Sequence, residues 1–372
     1  MANKTILVLG GYGQTGMAVA ALLLEHADVE VVLAGRSKFM AEEAAVVLKG
    51  RFPGNSVTAR EADASDPASL AEAFQGIDLV VVCSSTTRYC KQVAGAVLEA
   101  GADYLDVLFP THVVATMREQ EPRIREAGRC FVTQGGCHPG LPAAMLRHAR
   151  PRFVSMTGAR VSGFMHMEMP RMSGSAAELL EETAGEPCLV WERGSWRKAG
   201  WKDARKVNFG PPFGIKDTWP IFLEEMRDLP REYGLEEADV QMGGFTRMDT
   251  WVTFPLAFML AKIHKGLGAK TLGRFMVWNG RHFTKPPWLT LFRLEVDGTD
   301  GNDDEMTGSM DVSHADAYVL TAAPVVACLL QVLDGTIEPG LHLQALAVDT
   351  PRFFDDLRMM DVDVQDRVLE EQ

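Results

Sequence analysis

The residues best suited to chemistry lie near the N-terminus and follow the pattern GxGxxG, with Gly11, Tyr12, Gly13, Gln14, Thr15 and Gly16. An apolar run precedes them and an Ala- and Leu-rich stretch follows, which is the strand–loop–helix context of a dinucleotide-binding loop. Gly11 permits the tight turn, Gly13 lets the backbone approach a pyrophosphate, and Gly16 lets the helix pack against the strand. The N–H groups of Gln14 and Thr15, at the positive end of the helix, would face the phosphates. The alternative is a glycine turn without a ligand.

The end of the second predicted strand bears on the choice of cofactor. An NAD site usually has an acidic residue there, which binds the ribose 2′-hydroxyl. This chain has Arg36, 20 residues after Gly16, followed by Ser37 and Lys38. A guanidinium can pair with a 2′-phosphate and stack on adenine, and Ser37 and Lys38 could assist. The sequence therefore favours NADP over NAD, the alternative being a solvated basic loop.

Small and polar residues follow the third and fourth predicted strands. Asp63 and Ala64 come where an adenine ring would lie, although this segment equally suits the start of a helix. Ser84 and Ser85 follow the fourth strand at its carboxyl end, the edge that lines the ligand crevice of an open α/β sheet. Small side chains at that edge would let the nicotinamide ribose approach.

These candidate residues depend on strands that alternate with helices over the first 130 or so residues, which indicates a doubly wound parallel sheet of the Rossmann type. The strands are predicted at 5–9, 29–34, 56–61, 78–83, 104–107 and 130–133. The intervening helices are predicted at 15–25, 40–48, 67–74, 91–100 and 112–127.

The alternation stops near Pro139-Gly140, and the later sequence indicates different architecture. Partly alternating polarity over 155–169, with Trp- and Gly-rich loops, predicts a second α+β domain with a mixed sheet. A long helix is predicted over 315–334, kinked near Pro324, and another after Thr350. We therefore expect domains at 1–140 and 141–315, and a helical segment at 316–372 that returns to the first domain.

The composition limits the classes of partner. The chain has 372 residues with 37 Lys and Arg and 50 Asp and Glu, giving a net charge of −13. This balance disfavours general binding to nucleic acid or to anionic membranes, which requires a basic face. No stretch suits a signal peptide or a membrane span, and the six cysteines form no metal-ligand pattern. We expect a cytoplasmic protein with reduced thiols, no bound metal and a small-molecule substrate.

Candidate substrate-binding residues in the second domain are less specific. Arginine can clamp a carboxylate with two hydrogen bonds, and the candidates are Arg160, Arg171 and Arg247. A methionine-rich stretch, 165–169, suits either a ligand face or adaptable core packing. Four tryptophans could wall an apolar pocket or form a subunit contact, namely Trp191, Trp196, Trp201 and Trp219.

Several segments together resemble the saccharopine dehydrogenase family, in particular its glutamate-forming saccharopine reductase branch. The segments are the glycine-rich loop at 10–16, the stretch from Asp78 to Asp106, the Gly135-Gly136-Cys137-His138-Pro139-Gly140-Leu141 turn, the Asn208–Gly214 stretch with Leu229-Pro230, and the tail containing Thr321–Pro324, 329–335, Pro339-Gly340 and 349–357. The glycine-rich loop is generic, whereas the turn and the tail are more specific.

This resemblance implies reversible hydride transfer at a C–N bond, between an imine and a secondary amine, with NADPH as the hydride donor. We also expect the protein to be a homodimer. It also points to His138, where the family usually has an aspartate, and to Asp106 after the fifth strand. A histidine of near-neutral pKa at this turn could exchange a proton with the substrate. The alternatives are a histidine that caps a helix or fills space, and an Asp106 that caps a helix.

Two other functions are compatible with the sequence. One is reduction of a C=C or C=O bond in a lipid or a specialised metabolite. The other is a non-catalytic sensor of NADP, as in atypical short-chain reductases, whose glycine-rich loop is similar. Such sensors lack a large second domain, and this chain has one. The Tyr-x-x-x-Lys pair of catalytic short-chain reductases is also missing after the fourth strand, where Val93 stands four residues after Tyr89.

Overall fold

A computed structural model describes residues 4–169, 174–302 and 304–370 of the chain. The chain divides into two compact units. The first combines Met1–Leu141 with Tyr318–Met360, and the second combines Pro142–Ala317 with Asp361–Gln372. The second unit is therefore inserted between two segments of the first.

The first unit contains a sheet of seven parallel strands in the order β15-β6-β5-β4-β1-β2-β3. The order reverses between β1 and β4, which is where an open α/β sheet forms its ligand crevice. The strands are β1 (Lys4–Leu9), β2 (Val29–Gly35), β3 (Val57–Glu61), β4 (Leu79–Val82), β5 (Asp103–Asp106), β6 (Cys130–Thr133) and β15 (Gly340–Leu343).

Capping residues mark the starts of two helices of this unit, and glycines mark the ends of two others. Ser37 and Asp66 accept backbone N–H bonds at two helix starts, and Gly101 and Gly128 end two others in the left-handed conformation. The helices before the insertion are α1 (Gln14–His26), α2 (Lys38–Arg51), α3 (Pro67–Ala73), α4 (Cys90–Ala100) and α5 (Thr111–Ala127). Those after it are α11 (Ala317–Leu333), α12 (Gln344–Ala347) and α13 (Thr350–Met359).

The C-terminal segment completes the first unit through one side chain. Gln344 is fully buried, and its amide accepts a hydrogen bond from the Gly136 N–H and donates one to the Gly136 carbonyl, both at 3.1 Å. Gly140 has a φ of +122°, and a Cβ at this position would lie 2.6 Å from Gln344 Nε2. In addition, Cys137 Sγ lies 3.4 Å from Thr321 Oγ1 on α11. The turn at 135–140 is thus held by residues from about 200 positions further along the chain.

The second unit is a nine-stranded mixed sheet with helices. Its main path is β10-β11-β12-β7-β13-β14-β16, and β8 pairs with β12 and β9. The strands are β7 (Ser155–His166), β8 (Leu189–Glu192), β9 (Ser195–Lys198), β10 (Arg205–Asn208), β11 (Ile215–Ile221), β12 (Glu237–Gly243), β13 (Leu289–Thr299), β14 (Glu305–His314) and β16 (Asp363–Glu370). The helices are α6 (Pro142–Ala149), α7 (Gly174–Thr183), α8 (Leu229–Glu232), α9 (Phe254–Ala261) and α10 (Ala269–Phe283).

The predicted fold class is confirmed: a Rossmann-type parallel sheet is followed by a mixed-sheet unit, and the C-terminal helices belong with the first. The last residues differ from the expected helical segment at 316–372, because Asp363–Glu370 forms β16. Here polar and apolar residues partly alternate, and β16 pairs in antiparallel fashion with β14, which supplies its backbone partners. Strand β15 was also not predicted, and it extends the parallel sheet beside β6.

None of the helices in the described ranges is long and apolar enough to span a membrane.

Replacing Gln344 by Ala should destabilise the first unit. The substitution leaves the Gly136 N–H and carbonyl buried without their partner, which we expect to cost about 2–4 kcal/mol. Guanidinium denaturation of the full chain measures this loss. The exposed Gln75→Ala variant is the control and should stay within about 0.5 kcal/mol of the parent. A loss below about 1 kcal/mol for Gln344→Ala would show that its amide does not hold the turn.

Candidate functional site

The glycine-rich loop has two glycines at which a Cβ would clash with the backbone, and a third, Gly13, at which a Cβ would make a single tight contact. A Cβ at Gly11 would lie 2.9 Å from the Val8 carbonyl oxygen, and one at Gly16 would overlap the Gly10 carbonyl. By contrast, a Cβ at Gly13 meets only the Gly10 carbonyl oxygen, at 3.2 Å. The open side of Gly13 is therefore available for close approach by a ligand.

The start of α1 offers backbone donors at the same loop. Gly13 is its N-cap and has no side chain to bind the N–H groups of the first turn, which begins with Gln14 and Thr15. Helices α2 and α3 are instead capped by Ser37 and Asp66. An uncapped helix N-terminus carries free N–H groups and a partial positive charge, which is suited to a phosphate.

Beside this loop, Arg36 and Asp63 follow the ends of β2 and β3. Arg36 is exposed and forms no ion pair with any residue that the structure describes. Asp63 accepts bonds from the Ser65 N–H at 2.9 Å and the Ser65 hydroxyl at 2.7 Å. These bonds and, less strongly, the nearby Arg36 lower the pKa of Asp63. Ala64 is buried, and its carbonyl accepts a bond from Gln92. Arg36 and Asp63 therefore occupy one corner of the sheet edge.

Ser84 lies directly against the loop at the end of β4. A Cβ at Gly10 would be 2.8 Å from Ser84 Cβ, so the two backbones approach closely. Gly10 has a φ of +87°, which other residues rarely adopt. The buried Ser84 Oγ has no hydrogen-bond partner in the described part of the chain, whereas Ser85 is exposed. An unpartnered buried hydroxyl at the sheet's switch point is suited to a bound ligand.

Asp106, at the end of β5, is fully buried and both of its oxygens accept hydrogen bonds. The Tyr104 hydroxyl donates at 2.8 Å and the Thr133 hydroxyl at 2.9 Å to Oδ2. The backbone N–H groups of Leu108 and Gln134 donate to Oδ1 at 3.0 and 3.2 Å. Burial nevertheless raises the pKa of Asp106 to about 6. These bonds make Asp106 a residue that positions the ends of β5 and β6, and its predicted place among the catalytic residues stays a prediction.

The turn after β6 carries His138. Its ring stacks on Phe109, with ring centroids 5.4 Å apart and planes inclined by 17°. Part of the residue is exposed, but its Nε2 atom is buried. Burial lowers the pKa of His138 to about 4. The lowered pKa disfavours a proton stored on the imidazole at neutral pH, and the catalytic role of His138 stays a prediction.

Sequence reasoning missed residues that shape this turn. Gln134 has a φ of +57°, and its amide donates to the Phe109 carbonyl at 3.1 Å. Gln344 and Thr321 hold the turn from the C-terminal segment. A positive φ at a non-glycine residue and contacts of such long range have no local sequence signal, although Thr321 lies within the tail that carried the family resemblance.

Three arginines of the second unit are predicted to bind a substrate carboxylate, and the two that the structure describes differ in their surroundings. Arg160 forms an ion pair with Asp297. Arg247 is exposed, and Arg171 lies outside the described residues. Within the described ranges, no group of three or more His, Cys, Asp or Glu is arranged to hold a metal ion.

The four tryptophans divide into two pairs. Trp191 and Trp196 contact each other edge-on, and their indole N–H groups donate to the backbone carbonyls of Leu235 and Arg227. Trp201 and Trp219 form an edge-on pair, which Trp251 extends. The first pair stabilises the sheet, while Trp201 is 70% exposed.

An aromatic cluster surrounds His166 at the end of β7. The rings of Phe213 and Trp288 lie 5.3 and 5.5 Å from the His166 ring. Phe164 stacks at 6.1 Å, and His166 Nε2 lies 2.8 Å from the Lys285 carbonyl oxygen. Of the methionine-rich stretch, Met169 packs among the helices and His166 contributes to this cluster. The cluster is an apolar candidate for substrate contact in the second unit, and Phe164 within it is fully buried.

Comparison with known families supports the assignment of the first unit. Residues 6–132 match the family model described as the saccharopine dehydrogenase NADP binding domain. No curated protein sequence matches the chain significantly. The family match supports an oxidoreductase that binds a nucleotide cofactor.

A solved structure shows the same fold over nearly the whole chain, and two others are more weakly similar. Saccharopine dehydrogenase (L-Glu forming) from Saccharomyces cerevisiae has a TM-score of 0.73 at 14% identity, covering 99% of this chain and 100% of that one. A meso-dapdh mutant with DAP from Clostridium tetani E88 has a TM-score of 0.48 at 10% identity, covering 95% and 98%. GenD2 from gentamicin A biosynthesis, in complex with NAD, has a TM-score of 0.45 at 14% identity, covering 99% and 97%. The two weaker likenesses carry no inference.

The family match and the shared fold confirm the resemblance predicted from the sequence. Residues 6–132 are similar to the saccharopine dehydrogenase NADP-binding domain, and the whole chain shares its fold with the L-Glu-forming saccharopine dehydrogenase from Saccharomyces cerevisiae.

Proposed function

We propose that the protein is an NADP-dependent oxidoreductase whose cofactor is held at the edge of the parallel sheet. The observation that carries the proposal is the glycine-rich loop, in which Gly11 and Gly16 are required by internal contacts while Gly13 remains open. The diphosphate would lie against Gly13 and the first N–H groups of α1, those of Gln14, Thr15 and Gly16. A glycine turn without a ligand would give no reason for an open Gly13 beside an uncapped helix.

Residues suited to bind the 2′-phosphate, the adenosine and the nicotinamide of the cofactor lie along the same sheet edge. Arg36, which is exposed and unpaired within the described chain, would bind the 2′-phosphate with help from Ser37. Asp63 and Ala64 would flank the adenosine. Ser84 and Ser85 would contact the nicotinamide side, where the buried Ser84 Oγ could donate a hydrogen bond.

When bound, NADPH supplies a hydride to an electron-poor carbon of the substrate. We propose that His138 contacts that substrate as a neutral hydrogen-bonding group, since its lowered pKa excludes a stored proton at pH 7. Asp106 holds the strand ends from which Phe109 and His138 extend. Orientation of the reacting groups is then the main contribution of these residues.

The substrate class that we favour is an imine or secondary amine derived from an amino acid. The family match and the turn at 135–141 support this class. A second candidate is the reduction of a C=C or C=O bond in an apolar metabolite. It is favoured by Arg160, which is paired with Asp297 and not free to clamp a carboxylate, and by the aromatic cluster around His166. NADPH oxidation with keto acid and amine pairs, compared with enones and ketones, distinguishes the two.

Gly13→Val should abolish cofactor binding without unfolding the protein. Its branched side chain would fill the open side of the loop that the pyrophosphate needs. Fluorescence titration with NADPH measures the affinity, and circular dichroism verifies the fold. Gly95→Val in α4, where a Cβ meets nothing within 4 Å, is the matched control and should bind normally. Normal NADPH binding by Gly13→Val would rule out this loop as the phosphate site.

Arg36→Gln should remove the preference for NADPH. The parent should bind NADPH more tightly than NADH, and the loss of a charge-assisted phosphate contact, about 1.5–3 kcal/mol, should weaken NADPH binding roughly 10–100-fold. NADH affinity should change little. Arg51→Gln, at the far end of α2, the helix that begins two residues after Arg36, is the charge-matched control. Equal affinities of the parent for NADH and NADPH would contradict the assignment.

His138 should titrate well below neutral pH. Histidine signals followed by nitrogen–proton correlation NMR should show His138 protonating with a midpoint near pH 4, as its environment indicates. The His138→Asn variant assigns the signal. A midpoint between pH 6 and 7 would restore a proton-donor role.

A further inference from the structure

The second unit exposes an apolar stripe where α9 leads into α10. Met259, Ile263 and Leu267 are spaced four residues apart and are 55%, 73% and 44% exposed. The backbone continues in helical turns beyond α9, since the N–H groups of Ile263 and His264 both donate to the Leu260 carbonyl. Met259 and Ile263, four residues apart across this helical turn, lie on one side of it, and Leu267 follows in the turn after Gly266, whose φ is +79°.

Basic residues flank the stripe. Lys262, Lys265 and Lys270 are exposed, and none of them forms an ion pair within the described residues. Arginines of the sheet in the same unit behave differently, since Arg205 pairs with Asp239 and Arg293 with Asp311. We call Met259, Ile263, Leu267 and these three lysines the α9–α10 surface.

Acidic residues are missing from the sequence that forms this surface. Between Asp249 and Glu295 the chain has no Asp or Glu. Asp249 itself is 2% exposed, and it accepts hydrogen bonds from Thr253 and Asn279, both at 3.0 Å. Glu181 of α7 lies close to Gly266, but it is half-buried and has interactions of its own. The segment from 250 to 294 is therefore cationic in a chain of net charge −13, and α7, which packs against α9 and α10, carries the half-buried Glu178, Glu181 and Glu182.

We propose that the α9–α10 surface docks the protein on the surface of an anionic phospholipid bilayer. The apolar stripe would insert at the level of the headgroups while the lysines bind lipid phosphates, as in interfacial helices that combine apolar and basic residues. Because the Debye length is about 8 Å at physiological ionic strength, the acidic remainder of the protein is largely screened from the bilayer. A second copy of the chain fits this surface less well, since a symmetric contact would oppose lysine to lysine.

Vesicle co-sedimentation of the full-length protein tests the proposal. Binding to vesicles of phosphatidylcholine and phosphatidylserine should exceed binding to phosphatidylcholine alone, and should weaken with salt. The Lys262→Gln, Lys265→Gln, Lys270→Gln triple variant should lose roughly 100-fold in partitioning to the anionic vesicles, at about 1 kcal/mol per lysine. The Ile263→Ser, Leu267→Ser double variant should lose about 10-fold or more.

A matched control distinguishes binding through this surface from non-specific binding to vesicles. Val154, 62% exposed, and Lys198, also exposed, lie elsewhere in the same unit, so the Val154→Ser, Lys198→Gln variant should bind vesicles like the parent. Equal binding of the parent to neutral and anionic vesicles would overturn the proposal. So would an analytical ultracentrifugation result in which the Ile263→Ser, Leu267→Ser variant changes a dimer into a monomer, since the surface would then be a contact between copies.

Discussion

The carboxylate of Asp106 accepts hydrogen bonds from two neighbouring strand ends, and the geometry of the candidate site depends on it. A fully buried carboxylate is unfavourable unless donors surround it, so Tyr104, Thr133 and two backbone N–H groups must keep their positions. These bonds fix the backbone where the segment with Phe109 follows β5 and where the segment with His138 follows β6. Loss of the network would release both segments at once.

Burial acts on the two titratable groups of this region in opposite directions. The pKa of Asp106 is raised from 3.8 to about 6, so its contribution to stability decreases as pH rises through that window. The pKa of His138 is lowered from 6.5 to about 4, so its contribution is lost as pH falls through nearly the same window. The two slopes oppose each other between about pH 4 and 6, and the stability of the first unit should vary less with pH than either group alone would dictate.

Local patterns in the sequence predicted much of the first unit, because strand–helix alternation and the glycine-rich loop are short-range signals. The loop glycines, Arg36 and Ser84 all lie at the predicted sheet edge. Properties that depend on distant residues were not predictable: Gln344 has no motif, and the pKa of His138 depends on burial. The net charge of the whole chain is negative, and it therefore gave no indication of the basic α9–α10 surface. The absence of Asp and Glu from 250 to 294 could have been read from the sequence.

The insertion of the second unit into the first determines when each part can be completed during synthesis. The six strands β1–β6 and the glycine-rich loop emerge from the ribosome first, but the turn at 135–140 lacks Gln344 until the chain is almost finished. The 176 residues from Pro142 to Ala317 must be synthesised before β15 exists and can pair with β6. Contacts of such long sequence separation form slowly. A nascent chain would thus present a nucleotide-binding loop well before the His138 turn is set.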